Sequence, residues 1–204
     1  MNIAGMVADN LAKSLSTPVA WNEVATLKEK GAYLLDVRGN HGGNAHFGLT
    51  VLSHFIAEED LNQLVNIGAQ PATAPTAQTP APAPKETAGV RAELLPQPVM
   101  ILCDHYDGSA GEDFVAYAKG CKNVTVIGSN TRGTTGSLVS FGLPGGGTLY
   151  LSSYRTLLPD GTVIHNRGVQ PDIWSEYSVS DLLRGKDTVL EAALDFLGRE
   201  YGLK

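Results

Sequence analysis

The order of apolar runs along this chain predicts an α/β fold with a parallel βαβ unit, antiparallel strands after it and a C-terminal helix. Two apolar runs, at residues 99–103 and 124–127, flank a helical pattern over residues 109–119. Short runs typical of antiparallel strands follow residue 137. An amphipathic pattern over residues 187–201 predicts the closing helix. Because a helical crossover joins parallel strands, the sheet should be parallel at its centre.

The composition is that of a globular protein with one core or two small ones: 204 residues, 43% hydrophobic and 18% charged. The net charge of -6 argues against nucleic acid or an anionic membrane surface as a partner. No stretch approaches the roughly 18–20 apolar residues that a membrane span needs. The first residues lack the basic region of a secretory signal, which leaves the location undetermined, with the cytoplasm as default. Two cysteines, Cys103 and Cys121, make neither a disulfide framework nor a zinc site, and we expect no metal and no organic cofactor.

The region before the βαβ unit carries weaker signals. Residues 1–17 show no clear pattern and are compatible with a linker from a fusion. The Thr-Pro pair at residues 17–18 predicts a helix start, with the threonine as N-cap. The apolar run at residues 32–35 predicts a buried strand, and the apolar positions between residues 47 and 56 predict the next helix. A glycine-rich loop separates these two elements.

Residues 69–89 differ abruptly from their surroundings. Alanine, proline, threonine and glutamine dominate, and five prolines preclude helix and sheet. Such a stretch usually marks a domain boundary. Here we predict a flexible insertion within one domain over residues 18–204, because we expect the loops on both sides of it to form one site.

The sequence pattern of the second half of the chain predicts short strands joined by turns. The runs at residues 138–141, 148–152 and 162–164 predict antiparallel strands. The Pro-Asp-Gly sequence at residues 159–161 predicts a tight turn before the last of them.

The segment from Asp107 to Glu112 joins the end of a predicted strand to the start of a predicted helix. Free N–H groups and the helix dipole favour negative charge at such a point. Ser109 could act there as a nucleophile whose neighbouring amides stabilise an oxyanion. The alternative is that Ser109 only caps the helix, with Glu112 as its capping-box partner three residues on.

Several motifs in one order resemble those of the tail-specific, or C-terminal processing, serine peptidases, which include the tricorn-type proteases. Ser-Ala-Gly-Glu at residues 109–112 resembles the nucleophile motif of that family. Asp-Val-Arg-Gly-Asn-His-Gly-Gly at residues 36–43 is similar to its Asp-Leu-Arg-x-Asn-x-Gly-Gly loop. Gly128 and the Thr-x-Gly of residues 131–133 follow in the family's order, and residues 154–173 resemble its strand, turn and Gly-(Ile/Val)-x-Pro-Asp ending.

This resemblance implies a crotonase/ClpP-like α/β core and peptide hydrolysis through an acyl-serine intermediate. Ser109 corresponds to the nucleophile. The backbone N–H groups of Ala110 and of Gly43, or alternatively Gly42, correspond to the oxyanion hole. The implied partner is a peptide or protein substrate, and related cores often form homo-oligomers.

The general base is where the chain departs from the resemblance. Many members of the family place a lysine after the Thr-x-Gly sequence, but this chain has Thr134 there. The histidines nearest the two motifs are His41 and His105, and a histidine can accept a proton near neutral pH. Glu112 could orient a base, although a capping role competes with it. The PDZ domain usual in the family has no counterpart here.

A second resemblance predicts different chemistry. Residues 2–10 are similar to the tail of flavin-dependent coenzyme A-disulfide reductases, and residues 21–38 are similar to the opening of the rhodanese domain that follows in some of them. Cys103 and the Gly-Cys-Lys-Asn-Val sequence at residues 120–124 fit the rhodanese spacing. However, the loop after Cys103 carries acidic residues and no arginine, which disfavours a thiolate or persulfide.

Three functions therefore stay open at this stage. The first is a serine endopeptidase with Ser109 as nucleophile. The second is a peptide-binding relative without catalytic activity, because a base is not identified. The third is a sulfurtransferase that uses Cys103. The distances around Ser109 and the exposure of Cys103 discriminate among them.

Overall fold

The structure of the protein is a computed structural model that describes residues 3–6, 30–68, 94–136, 138–152 and 154–203. The helix predicted from residue 17 and the insertion predicted at residues 69–89 lie outside the described residues. The strands are β1 (Ile3–Met6), β2 (Ala32–Asp36), β3 (Val65–Gly68), β4 (Val99–Cys103), β5 (Val124–Gly128), β6 (Leu138–Gly142), β7 (Thr148–Ser152), β8 (Tyr154–Leu157) and β9 (Ile173–Trp174). The helices are α1 (Ala45–Leu52), α2 (Ala110–Ala118), α3 (Val179–Leu182) and α4 (Thr188–Tyr201).

A parallel sheet with the strand order β1-β2-β4-β5-β9 forms the centre of the fold. The predicted α/β class, the parallel βαβ unit of β4, α2 and β5, the antiparallel strands after it and the C-terminal helix are all confirmed. The sequence analysis predicted no element at residues 3–6, which form the edge strand β1.

Side chains alternate between the two faces of this sheet, and both faces are buried. Tyr33, Leu35 and Ile101 pack on the side of α1 and α2 together with Phe55 and Phe114. The opposite face packs against α4, whose buried residues are spaced four apart, as one helix stripe requires. Burial on both faces explains why the central strands consist mainly of consecutive apolar residues. The residues of this second core are Ala32, Leu34, Met100, Leu102, Ile127, Val189, Ala193 and Leu197.

Two small antiparallel pairs flank the parallel sheet. The first is a hairpin of β6 and β7, which are two of the predicted antiparallel strands, and the second joins β3 to β8. The expected strand at residues 162–164 is wrong as a strand, because the regular pairing lies at Tyr154–Leu157 and only Val163 bridges back to it. The intervening turn is confirmed, with the Gly161 N–H donating to the Leu158 carbonyl.

The first helix is shorter than predicted. It ends at Leu52, whereas the apolar pattern continued to Phe55 and Ile56. Phe55 and Ile56 are buried in the core from a turn that follows the helix. An apolar period therefore located the buried face but not the end of the helix.

Candidate active site

The loops that follow β2, β4 and β5 meet at one edge of the sheet. Parallel strands end at the same edge, so the loops after neighbouring strands lie side by side. The loop after β2 carries Gly42 and Gly43, the loop after β4 carries Ser109, and the loop after β5 carries Thr134. This arrangement brings together motifs that lie 66 positions apart in the chain.

Ser109 occupies a strained backbone conformation at the start of α2. Its φ of 52° and ψ of -128° are those of the first central residue of a type II′ turn, a position that glycine usually fills. The Gly111 N–H closes the turn on the Gly108 carbonyl at 3.0 Å. The side chain of Ser109 makes no capping hydrogen bond, so the capping alternative is wrong. A non-glycine residue held in such a region costs about 1–3 kcal/mol and is typical of functional sites.

The glycine-rich loop lies directly against this turn at Gly42. A Cβ built on Gly42 would stand 2.6 Å from the Ser109 Cβ and 3.0 Å from the Ala110 nitrogen. The Gly42 φ of 109° also excludes most other residues. Only a residue without a side chain permits this approach.

The hydrogen bonds of the loop distinguish the two possible oxyanion donors. The Gly42 N–H donates to the Asn40 Oδ1 at 2.9 Å and is therefore occupied. Within the described residues, the backbone N–H groups of Gly43 and Ala110 have no hydrogen-bond partner. Two unpartnered N–H groups beside a serine are what an oxyanion hole requires.

An ion-pair network fixes the start of the glycine-rich loop. The Arg38 guanidinium binds both carboxylate oxygens of Asp36, with Nε to Oδ1 at 2.8 Å, and it reaches Asp187 at 2.7 Å. Asp187 also caps α4 by accepting the N–H groups of Val189 and Leu190. These contacts lower the pKa of Asp187, although burial alone would raise it. The Asp-x-Arg part of the motif is thus structural, because it ties the loop to α4.

Two buried carboxylates then join this loop to the loop that carries Ser109. Asp107 Oδ1 accepts the Asn40 N–H at 2.9 Å, and its Oδ2 accepts the Asp104 N–H at 2.9 Å. Asp104 Oδ1 accepts the Gly39 N–H at 3.1 Å. A direct backbone bond from the Gly108 N–H to the Asn40 carbonyl, at 2.9 Å, completes the junction. Burial raises the pKa of Asp107 to about 8.

Glu112 has a role that neither expectation described. Its side chain is fully buried and accepts hydrogen bonds from the Thr131 hydroxyl, from the Gly133 N–H at 2.5 Å and from the Thr135 N–H at 2.9 Å. It therefore neither caps α2 nor orients a histidine, but anchors the loop after β5. Burial raises the pKa of Glu112, while these hydrogen bonds oppose the shift.

The loop anchored by Glu112 places Thr134 beside the turn that contains Ser109. A Cβ built on Gly108 would stand 2.7 Å from the Thr134 Oγ1. This is the position at which the resembling family has a lysine, and the Thr134 side chain lies next to Gly108, the residue before Ser109. A threonine hydroxyl cannot serve as a general base near neutral pH.

The two candidate histidines lie on either side of Tyr106. The His41 ring meets Tyr106 edge-on at 6.5 Å, and the His105 ring packs on it at 3.9 Å. Both histidines are exposed, and in the described part of the chain neither forms a hydrogen bond with Ser109. His41 is the neighbour of Gly42, which contacts Ser109, whereas His105 lines a separate pocket.

Cys103 does not fit a sulfurtransferase. The residue is fully buried, and its thiol donates to the Ser129 carbonyl at 3.3 Å. Burial raises the pKa of the thiol far above its usual range, and the carboxylates of Asp107 and Asp104 raise it further. A thiolate is thus disfavoured where that chemistry requires one. The adjacent pocket of about 170 Å³ does not include Ser109; it is lined by Cys103, Asp104, His105, Ser129, Ser175, Glu176, Tyr177 and Val189.

Comparison with protein families places this geometry in a known context. The profile of peptidase family S41 matches residues 9–175, which span all three loops of the site. The chain belongs to peptidase family S41. Members of this family are serine-type peptidases, which act on proteins or peptides.

Two curated S41 relatives come from Bacillus subtilis (strain 168). The carboxy-terminal processing protease CtpA is 27% identical over 157 residues, which are 75% of this chain and 31% of CtpA. The carboxy-terminal processing protease CtpB is 26% identical over 148 residues, which are 72% of this chain and 28% of CtpB. The S41 chain described here therefore spans less than a third of the length of either relative.

A solved structure supports the fold independently. The crystal structure of the tricorn protease superposes with a TM-score of 0.59 and 22% sequence identity, covering 84% of this chain and 15% of the tricorn chain.

Among the described residues of this S41 chain, no helix has the length and apolar character to cross a membrane.

Sequence reasoning missed two residues that build the S41 site. Asn40 orients the loop through its side chain and both of its backbone polar groups, and Asp107 holds Asn40. A signal for Asp107 was present, since it is an acidic residue between a buried strand and a Gly-Ser turn. Its contact with Asn40 could not be predicted from the local sequence, because Asn40 lies 67 positions upstream.

Proposed function

We propose that this chain is a serine endopeptidase in which the Ser109 hydroxyl attacks the scissile carbonyl. The observation that carries the proposal is the strained turn at Ser109, pressed against the glycine-rich loop at Gly42. Strain of this kind persists only where the surrounding structure enforces it, and a sharp turn between a strand and a helix is where nucleophilic serines present their Oγ.

The reaction follows from the groups around that turn. The Ser109 Oγ forms a bond to the carbonyl carbon and transfers its proton to a base, and the carbonyl oxygen becomes an oxyanion. The N–H groups of Gly43 and Ala110 stabilise this charge, each contributing about 3–4 kcal/mol to the lowering of the barrier. Collapse breaks the C–N bond and returns the proton to the leaving amine. Water then hydrolyses the acyl-serine, and the substrate we propose is an extended peptide or protein segment.

His41 is the base that we favour. It directly precedes the glycine in contact with Ser109, and its exposed ring has room to turn toward the substrate. His105 packs against Tyr106 and lines a pocket without Ser109, which makes it the weaker candidate. Self-association of the chain, expected from related cores, stays a prediction.

The test is covalent labelling with a fluorophosphonate probe, with the adduct mapped by mass spectrometry. We expect a stoichiometric adduct on Ser109 that is absent in Ser109→Ala. His41→Asn should lose labelling and His105→Asn should retain it. No adduct on a folded wild-type protein would count against the peptidase proposal.

A second candidate function is peptide binding without catalysis, which the presence of Thr134 favours. The discriminating variant is Thr134→Lys, since the hydroxyl of Thr134 already lies beside the nucleophile turn. If only this variant is labelled, the turn and the oxyanion hole are competent and the natural chain lacks a base. If wild type and variant are labelled equally, the endopeptidase proposal is supported.

A further inference from the structure

One buried residue that the reaction itself does not use joins all three loops of the site. The Asp107 carboxylate binds the Asn40 N–H of the loop after β2 and the Asp104 N–H at the start of its own loop. The Asp107 backbone carbonyl accepts the Arg132 N–H of the loop after β5, at 2.8 Å. Asp107 thus lies at the junction of the three chain segments that the site requires.

The Asp107 carboxylate controls the segment that carries the oxyanion donors. It fixes Asn40, whose side chain fixes the Gly42 N–H. These two contacts determine the position of Gly42 and, through the chain, that of the neighbouring Gly43. On the other side, Asp107 is two residues before Ser109 and three before Ala110. One side chain therefore sets the distance between the two unpartnered N–H groups.

Both oxygens of Asp107 act as acceptors, so the arrangement requires the ionised form. A protonated carboxyl would direct its own hydrogen toward one of two N–H donors and lose that hydrogen bond. We propose that Asp107 is a positioning residue whose ionised carboxylate holds the Gly43 and Ala110 N–H groups in register, so that the site assembles as Asp107 loses its proton. The effect on reaction rests on the proposed function, whereas the structural effect does not.

The surroundings of Asp107 place its titration within reach of ordinary experiments. Burial raises its pKa to about 8, the two backbone N–H donors oppose this shift, and the negative charges of Asp104 and Asp36 add to it. The negative charge of Asp36 is offset by its ion pair with Arg38. The charged or titratable residues on the segments around Asp107 are Asp36, Arg38, His41, Cys103, Asp104, His105, Tyr106, Glu112 and Arg132.

The structural arm of the test is an amide NMR titration from pH 6 to 10. We expect the Asn40 and Asp104 N–H resonances to titrate together with a midpoint near 8, and those of Gly43 and Ala110 to move with them. Asp107→Asn should abolish the transition. If the Gly43 and Ala110 resonances stay fixed while Asn40 titrates, the positioning role is wrong.

The reactive arm is the rate of fluorophosphonate labelling at Ser109 over the same pH range. Wild type should react faster as pH rises through about 8, and Asp107→Asn should stay slow at every pH. At pH 9 the difference should be on the order of 10²-fold, which is the usual effect of losing one oxyanion donor. Equal rates and equal profiles would overturn the inference.

Asp104→Asn provides the matched comparison. It removes the same charge from the next carboxylate, but the single oxygen that accepts both the Gly39 and Tyr106 N–H groups remains as the amide oxygen. Because the Asp104 charge raises the pKa of Asp107, we expect the whole transition to move to lower pH and not to disappear. A general loss of structure would not produce such a shift.

The arms also separate this inference from the proposed function. A normal NMR transition without labelling at any pH would contradict the peptidase and support the positioning role. Labelling of Ser109 without any NMR transition would support the peptidase and contradict the positioning role of Asp107. If Asp107→Asn does not fold, the wild-type and Asp104→Asn titrations still decide, since an unchanged midpoint in Asp104→Asn contradicts the inference.

Discussion

At the scale of single residues, the site depends on a close approach that one added methyl group would prevent. A Cβ on Gly42 would overlap the Ser109 Cβ, the Gly108 carbonyl and the Ala110 nitrogen, none of which can move away freely. Gly42→Ala should therefore displace the loop. We expect labelling of Ser109 to fall by about 10²-fold or more, since the Gly43 N–H moves with the loop.

Gly39→Ala is the control for this prediction. Gly39 also has a positive φ, of 75°, but a Cβ there would meet nothing within 4 Å. In the Gly39→Ala variant, the free energy of unfolding should decrease by about 1–2 kcal/mol, because alanine disfavours this backbone conformation. Thermal unfolding measures the decrease, and labelling of Ser109 should be unchanged. If both variants lose labelling alike, backbone strain and not the contact with Ser109 explains the requirement for glycine.

At the scale of elements, the strands and helices with strong periodicity were predictable from the sequence, and the weaker ones were not. The strand at residues 99–103 is buried on both faces and is an unbroken apolar run, and the strand at residues 124–128 is interrupted only by the half-buried Thr125. The strand Tyr154–Leu157 pairs with Val65–Gly68, almost 90 positions earlier. Such a pairing is set by tertiary structure, and local pattern does not reveal it.

The hairpin of β6 and β7 presents an apolar face to solvent. Residues directly opposite in an antiparallel pair share a face, so the register places Val139, Leu151, Phe141 and Leu149 together on one side. Phe141 and Leu151 are each 48% exposed. Residues 138–152 also contain no charged side chain. A continuous patch of this kind binds apolar dyes.

Phe141→Ser should thus reduce the fluorescence of anilinonaphthalene sulfonate added to the native protein. The matched control is Tyr150→Ser on the opposite face, where the neighbours include Ser140 and Thr148. Tyr150 is 62% exposed, more than Phe141, but it has fewer apolar neighbours. An equal decrease in both variants would show that single exposed side chains, and not the apolar face, bind the dye.

At the scale of the whole molecule, the sequence predicted which motifs lie together at the candidate site but not how they are held together. Ser109 and the two glycines were found from local motifs, and they lie together. The role of Glu112 was mistaken, because a glutamate three residues after a serine matches a capping box in any sequence. Its partners at residues 131–135 belong to a different loop, which only the folded chain brings into contact.

The stability of the fold and the proposed assembly of the site should change in opposite directions with pH. Burial raises the pKa of Asp107 to about 8 and that of Asp113 to about 6, so between pH 4 and 8 the folded state binds more protons than the unfolded state. The contribution of a raised pKa is complete below the unfolded value near 4, and it is lost as pH rises through the folded value. Stability should therefore decrease toward pH 8, while the assembly proposed for the site increases.

Urea unfolding of wild type and Asp107→Asn between pH 5 and 9 measures this conflict. An asparagine has no charge to bury, so the decrease of the unfolding free energy with pH should be shallower in the variant. The difference in stability between the two proteins should thus shift in favour of Asp107→Asn as pH rises. At pH 9 the variant that reacts more slowly with the probe should also be the one that gains relative stability. Parallel stability curves would mean that Asp107 does not titrate between pH 5 and 9 in the folded protein, and they would remove the physical basis for a pH-dependent site.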